Sequence, residues 1–195
     1  MKKLVIASNN PGKLREFQAM LAPLGIEVLT QALLGISEAE EPHCTFIENA
    51  LAKARHVSKE SGLPALADDS GICVTALGGA PGVWSARYAG EPKSDARNNE
   101  KLLQDMQGRA DRRAHYYCVL VLVRHADDPQ PVIAEGEWHG EIAHEERGEG
   151  GFGYDPMFWL PQQGKMSSEL THDEKTLLSH RGKAMRILLQ KLKLE

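Results

Sequence analysis

Leu4-Val5-Ile6-Ala7-Ser8-Asn9-Asn10-Pro11-Gly12-Lys13-Leu14 passes from an apolar run of four through a polar turn into a segment where Leu14, Phe17, Met20, Leu21 and Leu24 recur at helical spacing. The run reads as a short buried strand. Asn10 is placed as the helix N-cap and Pro11 at the first helical position, where its missing N–H costs nothing. A strand feeding a helix through so short a turn predicts an α/β fold.

Working outward, Thr45-Phe46-Ile47-Glu48 matches a capping box, and Ile47, Ala50, Leu51, Ala54 and Val57 continue one apolar face to a stop at Gly62. Pro64-Ala65-Leu66-Ala67 is a strand expected to end at Asp68-Asp69-Ser70-Gly71, which would put two carboxylates and a hydroxyl in a loop at a strand end. Tyr116 to Val123 is a nearly unbroken apolar, β-branched-rich run that suits a central strand, with Pro131 to Trp138 followed by Gly140 to His144 as its hairpin partner. Thr171-His172-Asp173-Glu174 forms another capping box. Ser179 caps a last helix whose apolar face is Ala184, Met185, Leu188, Leu189 and Leu192. No internal repeat is visible. The fold class expected is α/β, with a mixed β-sheet flanked by helices.

With 195 residues, 42% of them apolar, the chain is expected to form a single domain over 1–195. A formal net charge of −4 supplies no basic field to hold a nucleic-acid backbone, so nucleic acid is excluded as a partner. Cys44, Cys73 and Cys118 lie far apart without a CxxC pair, which argues against a disulfide framework or thiolate zinc site and fits a reducing compartment. The apolar run near the N-terminus is too short for a secretory signal, and no segment has the apolar length of a membrane span. A cytoplasmic protein with no membrane partner is expected.

Four segments carry side chains suited to chemistry. Ser8, Asn9, Asn10, Pro11, Gly12 and Lys13 lie between strand and helix, where unpaired N–H groups, the helix dipole and a lysine favour an anion. It is not a Walker loop, because the second glycine and the hydroxyl residue after the lysine are missing. Asp68 and Asp69 suit a hard, oxygen-seeking cation such as Mg²⁺, and one of them can also accept a proton from water. Because neighbouring extended residues point to opposite sides, Asp69 is taken as the central one; Glu38, Glu40 and Glu41 are candidates for a second ligand. The glycine-rich segment 148–153 matches a dinucleotide fingerprint only formally, since Asp155-Pro156 breaks the backbone where that fingerprint requires a helix. It reads instead as a loop presenting Phe152, Gly153, Tyr154 and Asp155, the aromatic face and acceptor a nucleobase pocket uses. Lys175, His180 and Arg181 lie near the start of the last helix, where cations oppose the dipole and call for an anion. The other histidines show no HExxH spacing, and no Gly-x-Ser-x-Gly elbow is present.

Together these segments resemble the inosine triphosphate pyrophosphatase family, in its bacterial dITP/XTP branch, over nearly the whole chain. The resemblance rests on Ser8 to Lys13, Thr45 to Ala50, Ala67 to Gly71, Leu77-Gly78-Gly79-Ala80-Pro81-Gly82, Ser85-Ala86-Arg87-Tyr88, Gly151 to Pro156 and Ser179-His180-Arg181. It implies two lobes with a nucleotide cleft between them, a homodimer, one Mg²⁺ per subunit, and hydrolysis of nonstandard purine nucleoside triphosphates to the monophosphate and pyrophosphate. It also implies that Asp69 is proton acceptor and metal ligand, that Ser8 to Lys13 hold phosphates, and that Ser70 contacts substrate. Phe152 to Asp155 would flank the base, Lys175 would reach the nucleotide, and His180 with Arg181 would donate to the 6-oxo group. Relatives have Thr-Gly-Asn where this chain has Ser8-Asn9-Asn10, and Glu-Glu-Thr-Gly where it has Glu40-Glu41-Pro42-His43. Glu40 is taken as the second ligand in preference to Glu41. The rival readings are a Maf-like nucleotide pyrophosphatase and a non-catalytic nucleotide sensor, which needs no base at Asp69.

Overall fold

The computed structural model describes residues 2–148 and 150–193. In chain order the main elements are β1 (Lys3–Ile6), α1 (Pro11–Leu21), β2 (Glu27–Thr30), α2 (Phe46–Ser61), β3 (Ala65–Val74), α3 (Asp95–Asp105), β4 (Arg113–Val123), β5 (Val132–Ile142), β6 (Phe158–Leu160), β7 (Lys165–Met166), α4 (His172–Leu178) and α5 (His180–Leu192). The strands form one sheet in the order β2-β1-β3-β4-β5-β6-β7. It is mixed: β1 runs parallel to β2 and β3, whereas β5, β6 and β7 pair antiparallel. The expected α/β class with a mixed sheet is what forms.

The chain divides into two compact units. The first comprises Met1–Asp69, Val119–Glu135 and Ala184–Glu195, and the second Ser70–Cys118 and Gly136–Lys183. In the first, Leu4, Val5 and Ile6 of β1 are fully buried, as are Phe17 and Leu21 of α1 and Ala50, Ala54 and Val57 of α2, so the centres of the helical faces legible in the sequence are what packs, while Ile47 at the start of α2 is exposed. Asn10 caps α1 through its side chain and Thr45 caps α2, while Gly62 ends α2 in the left-handed conformation at φ 68°. The second unit is built on Ile72, Leu102, Met106, Tyr116, Trp138 and Phe158, with Tyr116 meeting Phe158 edge-on at 4.7 Å.

Three expectations are corrected. First, β3 does not stop at Ala67. It continues through Asp68, Asp69 and Ser70 to Val74 and is buried almost throughout, so the carboxylates belong to a strand and not to a loop. A charged pair is tolerated there because the first unit supplies cations for it. Second, the hairpin partner expected over 131–138 and on over 140–144 runs without a break as β5 but stops at Ile142, short of His144. A side chain at Gly140 would come within 2.5 Å of the Trp159 carbonyl oxygen, so the glycine serves the close approach of β6 and does not break the strand. Third, Lys175 does not lie at the start of the last helix but within the preceding one, α4. Ser179 caps α5 as expected: it ends α4 with its backbone and turns its hydroxyl to accept from the Gly182 N–H at 3.1 Å.

Candidate functional site

In the first unit the turn after β1 is ordered by its own side chains. Asn10 Oδ1 accepts from the N–H groups of Gly12 at 2.9 Å and Lys13 at 3.1 Å, and Ser8 Oγ accepts from Asn10 N–H at 3.2 Å. Asn9 reaches across to Glu38 at 2.8 Å. The first amides of α1 are therefore engaged by the cap, and the charge of the turn resides in Lys13. Its ammonium lies 2.7 Å from Asp68 Oδ2, whose side chain is 1% exposed. An ammonium carries three donors, so this ion pair leaves Lys13 donors for a further acceptor.

Asp69 faces a different lysine. Lys53 of α2 places its ammonium 3.5 Å from Asp69 Oδ1 and hydrogen-bonds Glu41 directly. Burial pushes the Asp69 carboxyl up to about 6; Lys53 opposes the shift, Glu41 and Asp68 add to it, and Lys13 again opposes it. Burial alone would pull Lys53 down, but Asp69, Asp68 and Glu41 together hold it above the ordinary lysine value. Lys53 is a site residue that sequence reasoning missed. The available signal was its place within the capped helix starting at Phe46, on the turn above Asn49 and Ala50, both of which are buried.

This cluster supplies carboxylates around a cation, with the lysine ammonium as stand-in. Among the described residues no three His, Cys, Asp or Glu side chains converge closely enough to cage a metal by themselves. Mg²⁺ does not need such a cage, since it ordinarily takes one or two carboxylates and completes its shell with water and phosphate oxygens. Asp69 and Glu41 fit that donor set. Glu41 is the glutamate that shares Lys53 with Asp69, whereas Glu40 is exposed.

The second unit gathers the remaining candidates. Asp155, almost fully buried, accepts from Phe152 N–H at 2.9 Å through Oδ2 and from Ser167 Oγ at 2.8 Å through Oδ1. Its Oδ2 also takes a hydrogen bond from the Lys175 ammonium, which lies 4.5 Å from the centre of the Phe152 ring. Gly151 has φ 82°, and a side chain there would run into the Asp155 carboxylate at 2.4 Å, so the loop closes on Asp155 only with glycine at this point. Phe152 remains 56% exposed, an aromatic face presented to solvent. Tyr154 is instead a core residue whose hydroxyl donates to the Ser85 carbonyl at 2.7 Å. His180 and Arg181 are 8% and 6% exposed. The His180 ring stacks on Tyr116 with centroids 4.8 Å apart and planes 10° apart, and Arg181 Nη2 lies 3.5 Å from Ser70 Oγ.

The residues singled out in the sequence thus fall into two groups. Ser8 to Lys13 and Asp69, with Lys53 and Glu41, belong to the first unit; Ser70, Phe152 to Asp155, Lys175, His180 and Arg181 belong to the second. They define a mixed-sheet α/β protein with a lysine-and-carboxylate cluster in its first unit and, in its second, an aromatic loop together with buried His180 and Arg181. A model of the Ham1 family matches residues 4–191, and the chain belongs to that family. The dITP/XTP pyrophosphatase of Nitrosomonas europaea is 66% identical over 98% of this chain and 95% of its own length. The enzyme of the same name from Ralstonia nicotianae is 64% identical over 100% of this chain and 98% of its own. Among solved structures, a HAM1 protein from Coxiella burnetii superposes with a TM-score of 0.97 at 45% identity, with 100% of each chain covered.

Proposed function

We infer that this chain hydrolyses nonstandard purine nucleoside triphosphates (dITP, ITP, XTP and dXTP) to the monophosphate and pyrophosphate, and so keeps them out of DNA and RNA. The observation that carries the reading is the Asp69 carboxylate, held in a buried strand beside two lysines and raised to about 6. A carboxylate so raised is ionised at neutral pH and is a better proton acceptor than an ordinary aspartate, which suits a base acting on water. A protein that only binds nucleotides has no use for it. Relatives that are 59–66% identical carry the name dITP/XTP pyrophosphatase, which supports the same activity here.

In this proposal Lys13 and Lys53 offset the triphosphate charge and Ser8 to Gly12 shape the turn that receives it. Asp69 takes a proton from the attacking water, and Ser70 contacts substrate. Asp69 and Glu41 are the residues that would hold Mg²⁺, in place of the pairing with Glu40 expected from the sequence. When bound, Mg²⁺ supplies charge neutralisation on phosphate oxygens. In the second unit Phe152 offers its exposed face to the base, Asp155 fixes the loop and Lys175, and His180 and Arg181 donate to the 6-oxo group. Adenine places a donor where hypoxanthine and xanthine place an acceptor, and a buried mismatch leaves polar groups unsatisfied. A homodimer and a cytoplasmic setting are proposed with this activity; no helix among the described residues is long and apolar enough to cross a membrane.

The test is a panel of ITP, XTP, dITP, ATP, GTP, CTP and 5-methyl-UTP with Mg²⁺, read as kcat/KM. ITP and XTP well above ATP and CTP supports the proposal. A pyrimidine or methylated nucleotide as the best substrate would overturn it.

A further inference from the structure

We propose that Asp95, at the start of α3, is the positioning residue that aims the Phe152 ring, and that it acts through its hydrogen bond to the backbone of Gly153. The inference rests on the reading of Phe152 as the base platform. A ring that is 56% exposed is held by little beyond the Lys175 ammonium over its face, so the backbone that carries it sets much of its direction. Two carboxylates grip that backbone at successive residues. Asp155 Oδ2 accepts from Phe152 N–H at 2.9 Å, and Asp95 Oδ2 accepts from Gly153 N–H at 2.8 Å. Asp155 belongs to the loop it grips. Asp95 comes from a separate helix 58 residues away in sequence and therefore ties the peptide next to the ring directly to the body of the unit.

The helix is well suited to serve as an anchor. Ser94 caps it through Arg97 N–H, and Asn98, one turn on from Asp95, accepts from Ala89 N–H at 2.8 Å while donating to the carbonyls of Ser85 and Ala86. Tyr154, two residues after Phe152, donates to that same Ser85 carbonyl. The loop and α3 are thus fixed to a common point, the Ser85 carbonyl. Glycine at 153 has φ 61° with no atom near its absent side chain, so the turn that offers this N–H to Asp95 depends on the conformation glycine tolerates and not on crowding. Nothing else in the sequence marks Asp95; it looks like an ordinary acidic residue in a first helical turn, favourable to the dipole.

The two roles are separable, because a hydrogen-bond acceptor survives in Asp95→Asn and a charge on the dipole does not. The experiment compares wild type, D95A, D95N, F152A and D95A/F152A by kcat and KM for ITP at saturating Mg²⁺. D95A is expected to raise KM about tenfold with kcat changed little, below the roughly 100-fold that a full 1 Å misplacement can cost. D95N should return KM to within about threefold of wild type, since its amide oxygen still accepts. D95A/F152A should be no worse than F152A alone, because the aspartate acts through the ring. Unchanged KM in D95A, equal damage in D95N and D95A, or multiplicative losses in the double variant would each overturn the inference. If F152A itself leaves KM unchanged, Phe152 is not the base platform and the inference falls with that reading.

Discussion

Replacing Asp69 with asparagine should abolish turnover and, in the metal-free protein, raise stability. Burial lifts the Asp69 carboxyl from 3.8 to about 6 in the folded chain. A shift of roughly two units, at about 1.4 kcal/mol per unit, means that ionised Asp69 costs the fold about 3 kcal/mol relative to a neutral side chain of the same shape. Below pH 3.8 both folded and unfolded chains are protonated at this group and no cost arises. As pH rises towards 6 the unfolded chain ionises first and the cost grows; above 6 it is fully present. Asparagine mimics the neutral form, so D69N should be more stable than wild type by about 1–3 kcal/mol at pH 7.5, roughly 3–10 °C in Tm for a chain of this size. The gain should vanish near pH 4. The assay is thermal unfolding of both proteins in EDTA from pH 4 to 8, alongside ITP turnover with Mg²⁺. A D69N protein that is no more stable at pH 7.5, or whose advantage does not shrink towards pH 4, would refute the electrostatic reasoning. Turnover within a few-fold of wild type would refute the catalytic assignment.

Other outcomes follow from the same geometry. Glu41→Gln should weaken Mg²⁺ activation at least tenfold while Glu40→Gln leaves it nearly unchanged, as read from the Mg²⁺ concentration giving half-maximal rate; the opposite ranking would restore Glu40 as the ligand. Lys13→Ala should lower kcat/KM for all triphosphates by a similar factor, since in the proposed site it meets phosphates and not bases; a base-dependent loss would move Lys13 out of the phosphate site. Arg181→Ala should cost ITP about 10- to 150-fold in kcat/KM, as expected for one charge-assisted bond of roughly 1.5–3 kcal/mol, and ATP much less. Equal losses on the two substrates would assign Arg181 to the phosphates. Gly182→Ala should destabilise by about 1–3 kcal/mol or prevent folding, because the added carbon falls 1.9 Å from the Thr176 carbonyl oxygen; an unchanged Tm would show that the turn from α4 into α5 has slack.

What was legible in the sequence was whatever a local pattern encodes. Asn10 and Thr45 announce their helices because a cap is a contact between residues two or three apart, and β1 and β4 read as strands because their apolar runs are nearly unbroken. The reach of β3 was hidden because Asp68 and Asp69 look like loop residues until Lys13 and Lys53 are known to meet them, and those lysines lie on two other helices. β2, β6 and β7 are too short to show a period, and α3 has few apolar positions among its charges. Among the candidate site residues, Asp69, Phe152, Asp155, Lys175, His180 and Arg181 could be named because they stand in or beside distinctive strings. Lys53 and Glu41 could not be separated from their charged neighbours, since only the third dimension places one glutamate of an acidic run beside one lysine of a helix.

The central claim, cleavage between the α- and β-phosphates, is tested most directly by following ITP hydrolysis with Mg²⁺ by phosphorus NMR. The account predicts one IMP and one pyrophosphate for each ITP consumed, with neither IDP nor orthophosphate accumulating. Appearance of IDP with orthophosphate would contradict it, because the bond broken would then lie between the β- and γ-phosphates.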